Sequence, residues 1–461
     1  MSDILTAYCE TLQGKTVAVL GAGVSNKPLI KLLLAHGVAV TVRDKSAPER
    51  FPTELLAQWK EKGATLRLGE DYLEDLTEEV IFRSPGIMPH TLQLAQAVKR
   101  GSVLTSEMEA FFALCPCPVI AVTGSDGKTT TTTIIAGLLK AAGYKTWLGG
   151  NIGTPLLDKV EEMTPQDRVV LELSSFQLMT MPRSAQTAVV TNVAPNHLDK
   201  HTDMDEYVAA KKNVFAHQNA GDKVILNYDN AITRSFADEA PGQVTFFSRR
   251  EDLEDGVCVK DGAIWRKGVR VLGLSGITIP GAHNVENFMA AIAAVEGLVD
   301  DETVRRFAKE FDGVEHRIEL VRELGKVRYY NDSIASSPSR TIAGLRSFDQ
   351  KVILIAGGYD KHIPFDVLGP EVVNHVKRLY LTGDTSQKIR LAVEQAAGFD
   401  PVALPIVETG DLKEAVEEAY RAAEPGDVVL MSPACASFDR YKNFMERGEA
   451  FKAIVAALPE R

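Results

Sequence analysis

A glycine-rich turn between an apolar strand and a helix constrains this chain more than any other feature of its sequence. The segment V-T-G-S-D-G-K-T-T-T-T runs from Val122 to Thr132, directly after a β-branched apolar run. Such a turn places the free N–H groups of a helix N-terminus against an anion. Only Ser125 and Asp126 separate Gly124 from Gly127, whereas the common phosphate loop follows G-x-x-x-x-G-K-[ST]. The segment therefore predicts a shortened, variant phosphate-binding loop.

The residues of this loop have distinct expected roles. Gly124 and Gly127 would let the backbone approach phosphate oxygens, and Lys128 would reach the β- and γ-phosphates. Thr129 or Thr130 would ligate Mg²⁺ through a hydroxyl. The alternative is a glycine-rich turn that merely carries a lysine at the helix start. The strand before the loop and the helix after it favour the phosphate site.

Strand-like and helix-like segments alternate along the whole chain, with restarts near Glu107 and Gly313. This alternation predicts an α/β fold with mainly parallel sheets. We expect three domains: a Rossmann-like N-terminal domain over residues 1–106, a central P-loop ATPase-type domain over 107–313, and a C-terminal Rossmann-like domain over 314–461. Within the central domain, short segments from about Val244 to Ile279 predict a small antiparallel patch.

A second glycine-rich turn, G-A-G-V-S-N at 21–26, follows the first predicted strand. It lies in a β-α-β unit, and Asp44 ends the second strand of that unit. Asn26 occupies the third glycine position of the dinucleotide-binding pattern G-x-G-x-x-G. The turn favours a nucleotide-like anion at the helix start, with Asp44 near a ribose or base. The alternative is a tight turn with no ligand.

Three further residues of the central domain are candidates for chemistry. Glu172 lies near the end of an apolar strand in V-V-L-E-L, where a Mg²⁺ ligand beside a phosphate loop is expected. His197 follows another strand end in N-H-L-D-K-H, and ligands of α/β proteins bind at that edge of the sheet. Lys211 stands beside a second lysine in Y-V-A-A-K-K. Taken alone, two such lysines are most often a solvated helix face.

The last third of the chain contains polar strand ends. Segments N-D-S, G-G-Y-D-K and S-P-A-C-A-S-F-D each follow an apolar strand. Together they favour a site for a small, charged, amino-acid-like molecule. Upstream, Asn284 and Asn287 share one helix face in H-N-V-E-N. They either contact a nucleotide or cap the helix.

Composition limits the classes of partner. With 51 basic and 62 acidic residues the net charge is -11, which disfavours a nucleic-acid surface. The N-terminus shows no signal peptide pattern, and no apolar run is long enough to span a membrane, so a cytoplasmic location is expected. The five cysteines are scattered. The pair in Cys115-Pro-Cys117 suggests either a metal or redox pair or, with no second ligand pair nearby, a turn with two buried thiols.

These motifs together resemble the Mur ligases, in the order in which that family has them. The matching segments are V-T-G-S-D-G-K-T-T-T, G-G-N-I-G, L-E-L-S-S-F-Q-L, N-H-L-D-K-H, Y-V-A-A-K, H-N-V-E-N, E-H-R, N-D-S, G-G-Y-D-K and S-P-A-C-A-S-F-D-R-Y-K-N-F-M-E-R-G. The resemblance covers essentially the whole chain, and the short phosphate loop is a feature of the family. S-S-F-Q-L and S-P-A-C-A-S-F-D are similar to the member that adds D-glutamate.

The resemblance implies an ATP-dependent ligase of peptidoglycan precursor synthesis. Its substrates would be UDP-N-acetylmuramoyl-L-alanine and D-glutamate, joined through an acyl phosphate, with two Mg²⁺ ions and a monomeric enzyme. Lys128, Glu172, His197 and Lys211 would be catalytic. The Mg²⁺ ligands would be Thr129, Glu172, His197 and, if carbamylated as in the family, Lys211.

The same resemblance distributes the binding residues. ATP would contact Gly124, Ser125, Asp126, Gly127, Lys128, Thr129, Thr130, Asn284, Asn287, Arg317 and Asp332. The UDP-sugar would contact Ser25, Asp44, Lys45, Ser84, Gly86 and Asn151. D-Glutamate would contact Ser336, Lys361, Ser437 and Phe444, with Lys361 facing its side-chain carboxylate.

The chain departs from the family pattern at three positions, and other functions stay open. Ile334 stands where some members have lysine, Ser336 where they have threonine, and Asn26 where a glycine is common. The alternatives are a related ligase such as a folylpolyglutamate synthase, a nicotinamide dehydrogenase that uses the first turn, and a regulatory nucleotide-binding module. The dehydrogenase leaves the second loop, Glu172 and His197 unused.

Overall fold

The structure is a computed structural model, and it describes residues 2–196, 200–361 and 363–460. The chain divides into two compact units, Met1–Gly276 with Val285–Lys309, and Ile277–Asn284 with Glu310–Arg461. Three sheets organise these units, and their strands fall within the three segments predicted from the sequence. The α/β class with mainly parallel sheets is thereby confirmed, while the domain boundaries stay a prediction.

The first sheet is a five-stranded, wholly parallel sheet in the order β3-β2-β1-β4-β5. Its strands are β1 (Val17–Leu20), β2 (Val40–Asp44), β3 (Thr65–Leu68), β4 (Val80–Arg83) and β5 (Val103–Thr105). Its helices are α1 (Ser2–Glu10), α2 (Asn26–Ala35), α3 (Thr53–Glu61) and α4 (Leu92–Lys99). The strand order reverses between β1 and β4, and ligands of α/β sheets bind at such a point.

The second sheet has nine strands in the order β14-β13-β12-β11-β10-β9-β6-β8-β7. They are β6 (Val119–Thr123), β7 (Thr146–Gly150), β8 (Arg168–Glu172), β9 (Thr187–Val190), β10 (Lys223–Asn227), β11 (Gln243–Ser248), β12 (Val257–Lys260), β13 (Ala263–Arg266) and β14 (Val269–Gly273). The helices are α5 (Glu107–Leu114), α6 (Lys128–Ala141), α7 (Ser175–Leu178), α8 (Met204–Lys212), α9 (Ala231–Ser235), α10 (Ala282–Ala294) and α11 (Asp301–Glu310). β6 lies between β8 and β9, so its carboxyl end, where the phosphate loop begins, is at the middle of the parallel part.

The predicted antiparallel patch is present in part. β12, β13 and β14 pair antiparallel. β11 instead pairs parallel with both β10 and β12 and continues the main sheet. The predicted extent of the patch, from about Val244, therefore includes one strand too many, because β11 belongs to the parallel part of the sheet.

The third sheet belongs to the second unit and has the order β15-β16-β20-β17-β18-β19. Its strands are β15 (Glu319–Leu324), β16 (Val327–Asn331), β17 (Val352–Ala356), β18 (Val376–Leu381), β19 (Ile406–Glu408) and β20 (Val428–Met431). Its helices are α12 (Pro338–Leu345), α13 (Leu368–His375), α14 (Ser386–Glu394), α15 (Leu412–Ala422) and α16 (Phe444–Ala456). β15 is antiparallel to β16, and the other pairings are parallel.

The central strands of each sheet are apolar and fully buried, as in β1, β6, β17 and β20. Helices on both faces of a parallel sheet require this continuous apolar pattern. The described helices include none that combines the length and the apolar character needed to cross a bilayer.

Candidate active site

The predicted phosphate loop connects β6 to α6 with the geometry of an anion-binding turn. Gly127 precedes the first residue of α6 with φ of 78°, and Gly124 has φ of 148°. Both values lie in the region that favours glycine. The N–H of Ser125 donates to the carbonyl of Asn192 at 2.9 Å, which fixes the loop against the segment after β9.

Gly124 and Gly127 also leave no space for a side chain. A Cβ on Gly124 would lie 1.9 Å from the Thr191 hydroxyl oxygen, and one on Gly127 would lie 2.4 Å from Oδ1 of Asn287. Both glycines are therefore required by close packing as well as by backbone conformation.

Replacing Gly124 by alanine is expected to destabilise the first unit by about 2–4 kcal/mol, because the new methyl group collides with Thr191 at a positive φ. Chemical denaturation with a probe in the first unit measures this change. Gly143→Ala is the matched control, since Gly143 has φ of +91° but open space around its Cβ position. Equal effects of the two substitutions would contradict the collision.

Lys128 lies over the loop that it follows. Its Nζ donates to the carbonyl oxygens of Gly124 and Ser125, both at 2.9 Å. An ammonium group held by two carbonyls of the phosphate loop is close to any phosphate bound there. The structure thus places the Lys128 ammonium against the loop, and its contact with the β- and γ-phosphates stays a prediction.

Glu172 is the buried carboxylate of this site. It ends β8 in register with Val122 of β6, and it is only 2% exposed. Oε2 accepts from the Thr129 hydroxyl at 2.7 Å, and Oε1 accepts from the Asn151 amide at 2.8 Å. The structure therefore joins the two predicted Mg²⁺ ligands, Thr129 and Glu172, and brings Asn151 to the same point.

Lys211 is fully buried and faces the same loop. It lies on α8, and its Nζ donates to the Gly124 carbonyl at 2.8 Å. The ring of Tyr207 lies beneath Nζ, with 4.5 Å to the centroid, and the Tyr207 hydroxyl is 3.0 Å from that of Ser125. The pKa of Lys211 is lowered to about 6. Burial is the larger cause, and the nearby positive charge of Lys128 is the second. Near neutral pH the side chain is largely an uncharged amine, a nucleophilic form.

Lys212, the residue after Lys211, is on the solvent side of α8. Its Nζ forms an ion pair with Glu239 at 2.5 Å. A helix turns about 100° per residue, so adjacent lysines face different surroundings. Tyr207 and Lys211, four residues apart, share the inner face. The spacing Y-x-x-x-K was the available signal for Tyr207, which the sequence predictions did not include.

His197 and its neighbour Asp199 lie outside the described residues. Nearby, His201 is buried between Ser175 and Glu206, with Nε2 2.9 Å from the Ser175 hydroxyl and Nδ1 3.2 Å from Glu206. Its ring stacks on Phe176 with centroids 5.1 Å apart. His201 thus anchors the S-S-F-Q-L segment against α8.

The first glycine-rich turn is held by its own polar side chains. Asp44 accepts from the N–H of Ala22 at 2.6 Å and of Ser46 at 2.7 Å. Asn26 donates to the carbonyls of Leu20 and Gly21, so the residue that replaces the usual glycine is part of the turn. The Asn26 side-chain amide stabilises the turn through these two hydrogen bonds. A glycine at this position would instead permit a close approach of the backbone.

Apart from Asn151, which lies beside Glu172, the other residues predicted for the UDP-sugar are near the point where the strand order of the first sheet reverses. Ser84 follows β4 and would be 2.9 Å from a Cβ on Gly21, while Ser25 precedes α2. Gly86 and Lys45 are exposed, and Lys45 pairs with Glu70 at 3.3 Å. Ser25, Asp44 and Ser84 therefore gather at the carboxyl edge of the first sheet, with Lys45 and Gly86 at its surface.

The predicted ATP residues near α10 divide between two environments. Asn287 accepts from the Thr131 hydroxyl at 3.1 Å, which brings it to the phosphate loop in the first unit. Asn284 belongs to the second unit and donates to the Pro280 carbonyl at 2.6 Å. That bond joins Asn284 to the segment just before α10, and both the nucleotide contact and the capping role stay predictions.

Asp332 is a fully buried carboxyl of the second unit. It follows β16 and accepts from the Ser432 hydroxyl at 2.7 Å. Burial raises its pKa to about 7, against the opposing charges of Arg317 and Arg340. The predicted pair Arg317 and Asp332 is therefore close enough to interact electrostatically.

Because the pKa of Asp332 is raised on folding, the folded state binds its proton more tightly than the unfolded state. The resulting stability is fully present below about pH 4 and is lost as pH rises toward 7, at about 1.4 kcal/mol per pKa unit. Asp332→Asn is expected to remove this dependence and to make the second unit more stable above pH 7. Denaturation curves from pH 4 to 8 measure it, with the exposed Asp349→Asn as control. A dependence that survives Asp332→Asn would contradict this assignment.

Of the residues predicted for D-glutamate, Ser336, Lys361 and Ser437 lie on loops after β16, β17 and β20, and Phe444 is the first residue of α16. The N–H of Tyr359 donates to the Ala436 carbonyl at 3.0 Å, which brings exposed Lys361 and buried Ser437 onto adjoining loops. Lys361 Nζ lies over the ring of Phe438, 6.0 Å from its centroid. The loops that carry Lys361 and Ser437 are therefore neighbours, and a shared contact with D-glutamate stays a prediction.

Ser336 and Phe444 are tied into the same region by Arg447, which the sequence predictions missed. Buried Arg447 donates to the carbonyls of Ser333, Cys435 and Ala436, and Ser333 donates to the Phe444 carbonyl at 2.7 Å. Ser336 lies half-buried just beyond Ser333. The R in M-E-R-G was its only sequence signal, and a buried position was not apparent from it.

The donors around the phosphate loop suit Mg²⁺. Glu172 and Thr129 supply hard oxygen atoms, the ligand type that this ion prefers. Among the described residues, a compact acidic group that includes His316 also occurs, formed with Glu315 and Glu449. There the Lys452 ammonium pairs with both glutamates and already supplies the positive charge.

Comparison with known proteins defines the class. The family description "Mur ligase middle domain" matches residues 122–295, and "Mur ligase, glutamate ligase domain" matches residues 316–435. Together with relatives that are similar over nearly the whole chain, these matches show that the chain belongs to the Mur ligase family.

Two such relatives are named UDP-N-acetylmuramoylalanine–D-glutamate ligase. The one from Acetivibrio thermocellus is 52% identical over 99% of this chain and 100% of its own length. The one from Clostridium kluyveri is 50% identical over 97% of this chain and 98% of its own. The resemblance to the Mur ligases is thereby confirmed.

Solved structures share the fold at low identity. A UDP-N-acetylmuramate–alanine ligase from Thermotoga maritima aligns with a TM-score of 0.60 at 16% identity, over 96% of this chain and 99% of its own. A MurF ligase from Thermotoga maritima, in complex with ADP, aligns with a TM-score of 0.58 at 17% identity, over 99% of both chains. These similarities support the three-domain α/β architecture.

Proposed function

We infer that this protein is an ATP-dependent ligase that adds D-glutamate to UDP-N-acetylmuramoyl-L-alanine in peptidoglycan precursor synthesis. The inference rests on relatives named for this activity, which share about 50% of their sequence with this chain over nearly its full length. The convergence of Lys128, Glu172 and Lys211 on one phosphate loop supports it chemically. Cytoplasmic location and a monomeric state remain predictions, the latter open to sedimentation analysis.

In the proposed reaction the terminal carboxylate of the UDP-sugar substrate attacks the γ-phosphorus of ATP, and ADP leaves. The amine of D-glutamate then attacks the acyl phosphate, and inorganic phosphate leaves as the amide forms. Lys128 neutralises charge on the transferring phosphoryl group. The loop glycines let the backbone approach the phosphates, and Glu172 orients the Thr129 hydroxyl.

Bound Mg²⁺ would supply positive charge to the phosphate oxygens, held by Thr129 and Glu172, with a second ion at His197. Lys211 as an ammonium or amine adds no anionic ligand. Its neutral amine can attack CO₂, losing one proton, to give the carbamate expected from the family. The depressed pKa of Lys211 supports this modification because it keeps the nucleophilic form populated.

Release of inorganic phosphate tests the proposal. Purified protein receives Mg-ATP and UDP-N-acetylmuramoyl-L-alanine with D-glutamate, L-glutamate, L-lysine or meso-diaminopimelate in separate reactions. We expect turnover with D-glutamate alone. Turnover with a different amino acid would be consistent with the Mur ligase family but would contradict D-glutamate as the acceptor. Absence of turnover with all four amino acids would contradict the proposed function.

Lys361 is the predicted partner of the D-glutamate side-chain carboxylate. Lys361→Ala is expected to raise the KM for D-glutamate about tenfold to a hundredfold, because a charge-assisted hydrogen bond is lost. Initial rates at varied D-glutamate measure this, and the KM for ATP should not move. Lys388→Ala is the control, since Lys388 pairs with Asp360 on the neighbouring segment. An unchanged D-glutamate KM would remove Lys361 from the site.

A further inference from the structure

Two thiols lie side by side just before the strand that leads to the phosphate loop. Cys115 follows α5, Cys117 comes two residues before β6, and their Sγ atoms are 3.6 Å apart. No step of the proposed reaction uses either thiol. The pair is therefore a candidate for a function of its own.

Local sequence brings these thiols together. Cys115, the first residue after α5, has an extended backbone with φ of -67° and ψ of 120°, because a residue that precedes proline is kept out of the helical region. Pro116 then fixes its own backbone and donates no hydrogen bond. The C-P-C segment thus holds its two side chains as neighbours through its own backbone.

The two thiols differ in exposure and acidity. Cys115 is half-buried, whereas Cys117 is 4% exposed. The Cys115 thiol donates to the Cys117 carbonyl at 3.5 Å, and the two Sγ atoms share a hydrogen bond in which either thiol can be the donor. That hydrogen bond lowers the pKa of Cys115 and raises the pKa of Cys117. Exposure and acidity both assign Cys115 as the attacking thiol and Cys117 as the resolving thiol.

We propose that Cys115 and Cys117 form a reversible modification site, a dithiol that a low-molecular-weight disulfide oxidises to an intramolecular disulfide. The Cys115 thiolate attacks one sulfur of the small disulfide and expels the first small thiolate. The Cys117 thiol, losing its proton, attacks the Cys115 sulfur of the mixed disulfide and expels the second. The protein loses two protons and two electrons, that is, two hydrogen atoms, and the small disulfide gains them to become two small thiols.

Hydrogen bonds at residues 118 and 119 confine the structural change on disulfide formation to the turn between α5 and β6. The Val119 N–H donates to the Gln186 side chain at 2.9 Å, and the Pro118 carbonyl accepts from Val169 at 3.0 Å. β6 is then paired on both sides, with β8 and β9. We therefore expect oxidation to leave ATP binding at the loop unchanged. An intramolecular disulfide also shields Cys115 from irreversible oxidation to the sulfinic acid.

The test equilibrates the folded full-length protein in buffers of defined oxidised and reduced glutathione and measures intact mass. The expected result is loss of two hydrogens at residues 115 and 117, reversed by dithiothreitol. Cys117→Ser should stop at one bound glutathione on Cys115, and Cys115→Ser should leave Cys117 unmodified. Cys9→Ser, which alters a buried thiol of α1, should behave like the parent protein.

Two results would overturn the proposal. One is a parent protein that accumulates bound glutathione at Cys115 without forming the internal disulfide. The other is a pair that stays reduced across the whole range of buffers. Peptide mapping of the parent protein, which needs no variant to fold, distinguishes these from the expected result, because both cysteines fall in one proteolytic peptide.

Discussion

Lys128→Ala is expected to lower kcat for the D-glutamate ligation by on the order of 10³, because an electrostatic clamp on a transferring phosphoryl group contributes about this much. The Lys128 ammonium lies 2.9 Å from two carbonyls of the phosphate loop, so it is already positioned before ATP binds. Binding of the UDP-sugar should not change, since Ser25, Asp44 and Ser84 lie at the first sheet. Steady-state phosphate release and isothermal titration with the UDP-sugar measure the two effects.

The control for this experiment is Lys140→Ala, an exposed lysine in the last turn of the same helix α6. It removes the same charge from the same element without approaching the loop. Lys128→Ala and Lys140→Ala with similar kcat values would show that the phosphate loop does not perform the chemistry. If Lys128→Ala raised the KM for ATP and left kcat unchanged, Lys128 would bind ATP without stabilising the transition state.

Lys211→Met is expected to abolish turnover and, in CO₂-free buffer, to stabilise the protein. The folded pKa of Lys211 is about 6, below its ordinary value of 10.5. The unfolded state therefore binds more protons between these values, and the lysine opposes folding increasingly as pH falls from 10.5 toward 6. Each pKa unit corresponds to about 1.4 kcal/mol. Methionine has similar length and no charge, so the penalty is removed.

Activity and denaturation midpoints of Lys211→Met, measured from pH 6 to 9, test both halves of this expectation. The parent protein should become more stable with rising pH across that window, and the variant should lose that dependence. Lys212→Met is the matched control, because Lys212 pairs with Glu239. Full activity of Lys211→Met would exclude a carbamate at this position. An unstable variant with a steep pH profile would contradict the buried neutral amine.

Prediction from the sequence was most informative at positions where the residue type and its place in the fold allow few roles. Glycines followed by a lysine at a strand–helix junction favour anion binding, and the structure has this segment at the junction of β6 and α6. Glu172 was predictable for a similar reason, since a carboxylate at a buried strand end needs a partner. Thr129 and Asn151 are those partners, although only the fold reveals that the residue at 151 reaches position 172.

Residues whose role depends on distant neighbours were less predictable. Lys211 taken alone resembled a solvated lysine, and its burial follows from the packing of α8 against the loop, 87 residues away in the chain. Arg447 and Tyr207 were missed because arginine and tyrosine have many ordinary positions on helices. β11 was assigned to the antiparallel patch, since pairing direction depends on the partner strand and is not encoded in the local pattern.

The position of β20 has a consequence for how the chain is made. β20 is the last strand of the third sheet to be synthesised, yet it lies between β16 and β17. While residues 428–431 are still within the ribosome, these two earlier strands each have an unpaired edge. Closure of this sheet must therefore wait until the residues of β20 have been synthesised, and parallel pairing over such separations is intrinsically slow. A nascent chain truncated before β20 exposes the unpaired edges of β16 and β17, which favour aggregation.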